Sequence, residues 1–169
     1  MDGFFDGLER AIRDQNWHAA LVMALTLPDI CAKTIAPTDG SKKRYIDWYD
    51  ANLKSKYTRP AIGGIDERVF LSGSDCYALR CALLHEGTDD ITTQRAQDAL
   101  SRFQFCVTGQ FNFRLHCNQI NDVLILMVDN FATDVLNAAR TWWAALGESE
   151  RTDTNERLFT IKVTDNFSM

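Results

Sequence analysis

The chain has 169 residues, 46% of them hydrophobic and 24% charged, which suits one folded domain over 1–169 rather than a disordered tail or a fibre. Its net charge of −5 argues against a general nucleic-acid coat, because sequence-independent binding depends on neutralising phosphates. Five cysteines without a Cys-x-x-Cys pair argue against a disulfide framework and fit reduced thiols in a cytoplasmic setting.

In chain order, Phe4, Phe5, Leu8 and Ile12 recur at helical spacing. Asn16 is placed to cap a second helix through Trp17, Ala20, Leu21, Ala24 and Leu25. Pro28 is expected to break or kink it, with Asp29–Lys33 continuing at a new angle. A turn at Pro37–Gly40 leads to a third helix from Ser41, with Tyr45, Trp48, Tyr49 and Leu53 on its apolar side. Residues 57–74, with Pro60, Gly63, Gly64 and Gly73, read as a long loop.

A fourth helix is bounded on both sides. Ser72-x-x-Asp75 opens it in the manner of a capping box, and Gly87 stands where a helix end wants a left-handed residue. A short helix is expected over 93–101. The period then falls to two. Phe103, Phe105 and Val107, then Phe111, Phe113 and Leu115, predict an antiparallel β-hairpin. A long helix over 121–146, a polar loop over 148–157 and a strand over 158–163 complete the expectation. The longest apolar run, Val123–Val128, is bracketed by Asp122 and Asp129 and is far short of the ~20 residues of a membrane span. No membrane association is expected. The fold class is therefore mainly α, a helical bundle with a small antiparallel hairpin and a C-terminal strand.

Chemistry concentrates on the fourth helix, in Arg80-Cys-Ala-Leu-Leu-His85. Arginine presents a fork that matches phosphate, and histidine is the side chain suited to proton transfer near neutral pH. Five residues of helix separate the two by about 140° of azimuth and ~7.5 Å of rise. They do not stack, but Arg80 is long enough to swing round, and His85 is freed by the helix ending. The helix macrodipole favours a cationic His85, whereas Arg80 opposes it. Such a pair can grip and cleave a phosphodiester with no cofactor and no metal. In a twofold dimer each cleft would gather two copies of both.

This motif, on a helix of a mainly helical chain, resembles the HEPN family, defined by an Arg and a His with four to six residues between them. The resemblance covers 1–101 and 121–146 as a helix pattern and carries catalytic roles to Arg80 and His85 alone. It implies a homodimeric, metal-independent endoribonuclease of toxin–antitoxin or phage-defence type. RNA would be its substrate, and an antitoxin or other protein a partner. Two residues depart from the family pattern. Cys81 follows the Arg where a polar residue is frequent, and Glu86-Gly87 follow the His where one toxin subgroup has Tyr.

Other residues have expected supporting parts. Lys42, Lys43 and Arg44 belong to a basic strip, together with Lys54, Lys56 and Arg59 against only Asp47 and Asp50, and are candidate phosphate contacts. His116 and Asn118 are candidates to enter the same cleft, although a polar junction with Asn118 as a helix cap explains them more simply. Asp75 is a cap or a partner of Arg80, and Tyr77 a stacking or core tyrosine. Cys81 and His85 with Cys117 or His116 would make a metal site only if a recognisable tetrad existed, and none is spaced that way. The competing function is a non-catalytic dimeric interaction or nucleotide-binding module whose Arg–His pair is structural.

Overall fold

Side-chain capping starts two of the principal helices. Asn16 Oδ1 accepts from Ala19 N at 3.3 Å and Ser72 Oγ from Asp75 N at 3.1 Å, satisfying amides that the first turn leaves unpaired. The computed structural model describes residues 1–63, 65–109 and 115–161. Among these, six α-helices dominate: α1 (Asp2–Arg13), α2 (Trp17–Ile35), α3 (Ser41–Asn52), α4 (Gly73–Glu86), α5 (Val128–Ala145) and α6 (Glu148–Arg157). The protein is mainly α, as its composition and periodicity imply.

α2 is the hub, packing against α1, α3, α4 and α5. Its Leu21, Ala24, Leu25, Cys31 and Ala32 are buried. At 19 residues it is long and apolar enough to cross a membrane by length and composition, but these apolar residues are what the neighbouring helices cover. Pro28 does not end it. The ring removes one intrahelical donor, yet α2 runs through to Ile35, because packing of its buried face against four helices outweighs one lost hydrogen bond. α3 contributes Tyr45, Trp48 and Tyr49 to the core, each no more than 1% exposed, with Trp48 edge-on to Trp142 of α5 at 6.1 Å.

The strands occupy other positions than the sequence suggests. A hairpin of β1 (Thr58–Arg59) and β2 (Arg68–Val69) lies inside the expected 57–74 loop, after a 3-10 turn at Lys54–Tyr57. A second sheet has the order β3-β5-β4, built from β3 (Arg102–Cys106), β4 (Asn118–Ile120) and β5 (Val123–Met127). β3 pairs parallel to β5, and β4 antiparallel to it. Thus Phe103–Cys106 lies in a strand as expected, and it pairs in parallel with β5. The 111–114 segment and residues 162–163 lie outside the described residues, and residues 158–161 form no strand. The expected 121–146 helix is β5 followed by α5. Residues 93–101 are turns, and the expected 148–157 loop is α6.

Asp75 holds the turn segment in place. It is 1% exposed, and its carboxylate accepts from the amides of Asp98 at 2.8 Å, Ala99 at 3.2 Å and Leu100 at 3.4 Å. The start of α4 is thereby tied to the chain entering β3. Asp75→Ala strips three amides of a charged acceptor, an expected loss of about 2–3 kcal/mol. Urea unfolding checks this, and a loss below the ~0.5 kcal/mol typical of surface changes would contradict it.

Candidate functional site

Arg80 and His85 meet. α4 ends as its sequence dictates, with Gly87 left-handed at φ 69°. Arg80 Nη1 lies 3.2 Å from His85 Nε2. A guanidinium only donates, so a hydrogen bond at this contact requires Nε2 as its acceptor. The Arg80 side chain is 21% exposed, whereas His85 lies open to solvent. The geometry is that of a proton acceptor beside a phosphate-shaped fork of donors.

The other half of the guanidinium is anchored by Asp29, a residue the motif does not announce. Arg80 Nη2 sits 3.0 Å from Asp29 Oδ2, while Arg44 Nη2 of α3 approaches Asp29 Oδ1 at 3.5 Å. Asp29 is 8% exposed, on the inner side of α2. One carboxylate therefore lies between two guanidiniums. A signal was present in the sequence: a single carboxylate between Leu27-Pro28 and Ile30-Cys31, inside an otherwise apolar helix, has to find a cation.

α2 and α4 run antiparallel along this seam. Arg80 faces Asp29, while Leu83 and Gly87 share a cavity with Trp17, Leu21 and Val22. That cavity, about 920 Å³, and one of about 430 Å³ at Asp29, Lys33, Arg44 and Arg157 lie along α2 on either side of its contact with Arg80.

The remaining expected residues divide. Arg44 joins the site, held also by the Asp39 carbonyl at 3.0 Å. Lys43 does not. Asp39 and Asp47 each approach its Nζ at 2.8 Å and hold the amine more firmly protonated than usual. Lys42 turns to the Arg95 carbonyl at 3.4 Å. Asp75 serves the 98–100 amides and not Arg80. Tyr77 packs edge-on to Tyr45 at 5.4 Å and shares a hydrogen bond with Ser41 Oγ at 3.1 Å. It is a half-buried tyrosine packed against the core.

His116 and Asn118 lie elsewhere. Asn118 is an exposed residue of β4 opposite Ile125, not a helix cap. His116 packs against the Tyr57 ring at 5.6 Å, and its Nδ1 accepts from Met127 N at 3.2 Å. Burial pushes the His116 pKa below its ordinary value, against a smaller opposing pull from Asp134 and Asp129. Among the described residues no three His, Cys, Asp or Glu side chains are grouped to hold a metal ion.

The His116 shift has a thermodynamic consequence. The unfolded chain takes up this proton near pH 6.5 and the folded chain only at lower pH. Stability is therefore full above pH 6.5 and falls as acidification proceeds below it. His116→Asn keeps an acceptor for Met127 N and removes the titration. Urea midpoints at pH 7.5 and 5.5 are expected to differ less in this variant than in the wild type, and equal differences would contradict the assignment.

Comparison with protein-family models, curated proteins and solved structures finds no match for this chain. Its function is therefore argued from the geometry of these residues.

Proposed function

We propose that the chain is a HEPN-like, metal-independent endoribonuclease acting as a homodimer, of the kind used as a toxin or defence effector. The observation that carries this reading is the 3.2 Å contact between Arg80 Nη1 and the Nε2 of an exposed His85. In the proposed reaction Nε2 takes the proton of a ribose 2′-hydroxyl, and the 2′-oxygen attacks the adjacent phosphorus. The bond from phosphorus to the 5′-oxygen breaks, and that oxygen takes a proton from water or from the imidazolium of the second copy. The products are a 2′,3′-cyclic phosphate and a 5′-hydroxyl. Arg80, released from His85 as the phosphate arrives, stabilises charge on the non-bridging oxygens, while Asp29 keeps its fork oriented.

A second reading has an observation of its own. The Arg80–Asp29 ion pair, with Asp29 only 8% exposed, would exist in a purely structural cluster of a non-catalytic dimeric or nucleotide-binding module. Purified protein incubated with structured and unstructured RNAs in EDTA separates the two. Cleavage of RNA but not DNA supports the enzyme. Intact RNA, with His85→Ala indistinguishable from wild type in every turnover assay, supports the module.

A further inference from the structure

Around Asp29 the charges do not balance. Arg80 and Arg44 bring two positive charges and ten N–H donors to one carboxylate, and the Nε of each is buried without a hydrogen-bond partner among the described residues. Both guanidiniums are mostly shielded, at 21% and 17% side-chain exposure, so water compensates the surplus charge poorly.

Next to this cluster the cavity of about 430 Å³ is lined by Asp29, Ile30, Lys33, Arg44, Arg157 and Leu158. It falls within the roughly 300–1,000 Å³ of small-ligand sites. Three of these lining residues are cations and one is an anion, on a chain of net charge −5. Among the described residues Lys33 and Arg157 donate to backbone carbonyls, Lys33 Nζ to Pro37 at 2.5 Å and Arg157 Nε to Asp153 at 3.1 Å, and neither meets a carboxylate. Both come from helix ends, where their side chains stay exposed.

We infer that this cavity is a phosphate subsite for the RNA strand, holding a phosphodiester next to the one gripped by Arg80. Arg44 is the shared element, touching Asp29 on one side and lining the cavity on the other. The subsite rests on the ribonuclease reading for its substrate but not for its charge. A strand threaded here follows the α2–α4 seam, with its backbone on Lys33, Arg44 and Arg157 and its reacting sugar at His85. Neither Lys33 nor Arg157 is expected from a motif, because the two stand in sequence-distant helices.

The test uses the full chain carrying His85→Ala, so that RNA stays intact, and a fluorescent single-stranded RNA. Adding Lys33→Ala with Arg157→Ala is expected to weaken binding about five- to tenfold. It should also flatten the slope of log affinity against log salt by about 1.4, at roughly 0.7 per lost phosphate contact to a single strand. Arg10→Ala with Arg13→Ala on α1 serves as the control and is expected to change neither. Unchanged affinity and slope in the cavity variant would overturn the subsite, as would an RNA that does not bind at all.

Cleavage by the His85-containing protein keeps the two readings apart. If it cuts RNA and the cavity variant has the same KM, the subsite falls and the ribonuclease stands. If the cavity variant loses binding while no RNA is ever cut, the subsite stands and the ribonuclease falls.

Discussion

His85→Ala is expected to lower RNA cleavage about 10²–10⁴-fold, the range lost with a positioned general base, while the fold is kept. The side chain is exposed, and its one hydrogen bond among the described residues is to Arg80 Nη1, so its removal should move stability by no more than ~0.5 kcal/mol. Arg80→Lys is the sharper companion. A lysine keeps the charge but not the fork, and one ammonium cannot reproduce Nη2 on Asp29 together with Nη1 on His85. We expect a comparable fall in kcat with a smaller change in KM, because the fork acts on charge that develops in the transition state. Circular dichroism and single-turnover cleavage check both variants. A His85→Ala protein that folds and cuts at the wild-type rate would remove histidine from the chemistry.

Asp29→Ala is expected to be costly for stability. It leaves two poorly hydrated guanidiniums facing one another with no carboxylate between them, 17% and 21% exposed. Breaking a buried ion pair by removing one partner costs about 3–5 kcal/mol, and this partial exposure puts the cost near 3. For a chain of this size that is a fall in Tm of roughly 6–12 °C. Asp29→Asn, which keeps an acceptor, should lose less.

A double-mutant cycle with Arg80→Ala locates the effect. If the carboxylate works through Arg80, the two losses are less than additive by about 1–3 kcal/mol. Strict additivity would show that Asp29 stabilises α2 independently of the site. Asp29 is a positioning residue in this account, so its less disruptive Asn variant should lower kcat even under conditions where it remains fully folded.

What the sequence revealed depended on how local the determining interaction was. The ends of α4 were legible because Ser72 and Gly87 act within a turn of their own positions, whereas the reach of Asp75 to the 98–100 amides was not. β5 was not. Val123–Met127 is largely buried on both faces as the central strand, and a continuous apolar run carries no period to tell strand from helix. The two-residue turn before it, Asn121-Asp122 with Asn121 at φ 55°, was the overlooked local sign of a hairpin. α6 was read as a loop because Glu148–Arg157 has no apolar stripe. Its start is held by Glu150 Oε2 accepting from Gly147 N at 2.9 Å, and Thr154 is the residue it buries.

The candidate site shows the same division. Arg80 and His85 share one helix and could be found by spacing, whereas Asp29 reaches them from another helix through tertiary packing. The basic run at Lys42–Arg44 looked uniform, yet each residue has a different partner. Lys43 has carboxylates four residues away on both sides, a pairing the sequence did contain.

The most direct measurement is the chemistry of the cut ends. RNA incubated with the protein in EDTA is predicted to yield a 2′,3′-cyclic phosphate and a 5′-hydroxyl, with no cleavage where the scissile ribose is replaced by 2′-deoxyribose. Products carrying a 3′-hydroxyl, or cutting that persists at the deoxy position, would contradict the proposed attack by a 2′-oxygen assisted by His85 and Arg80.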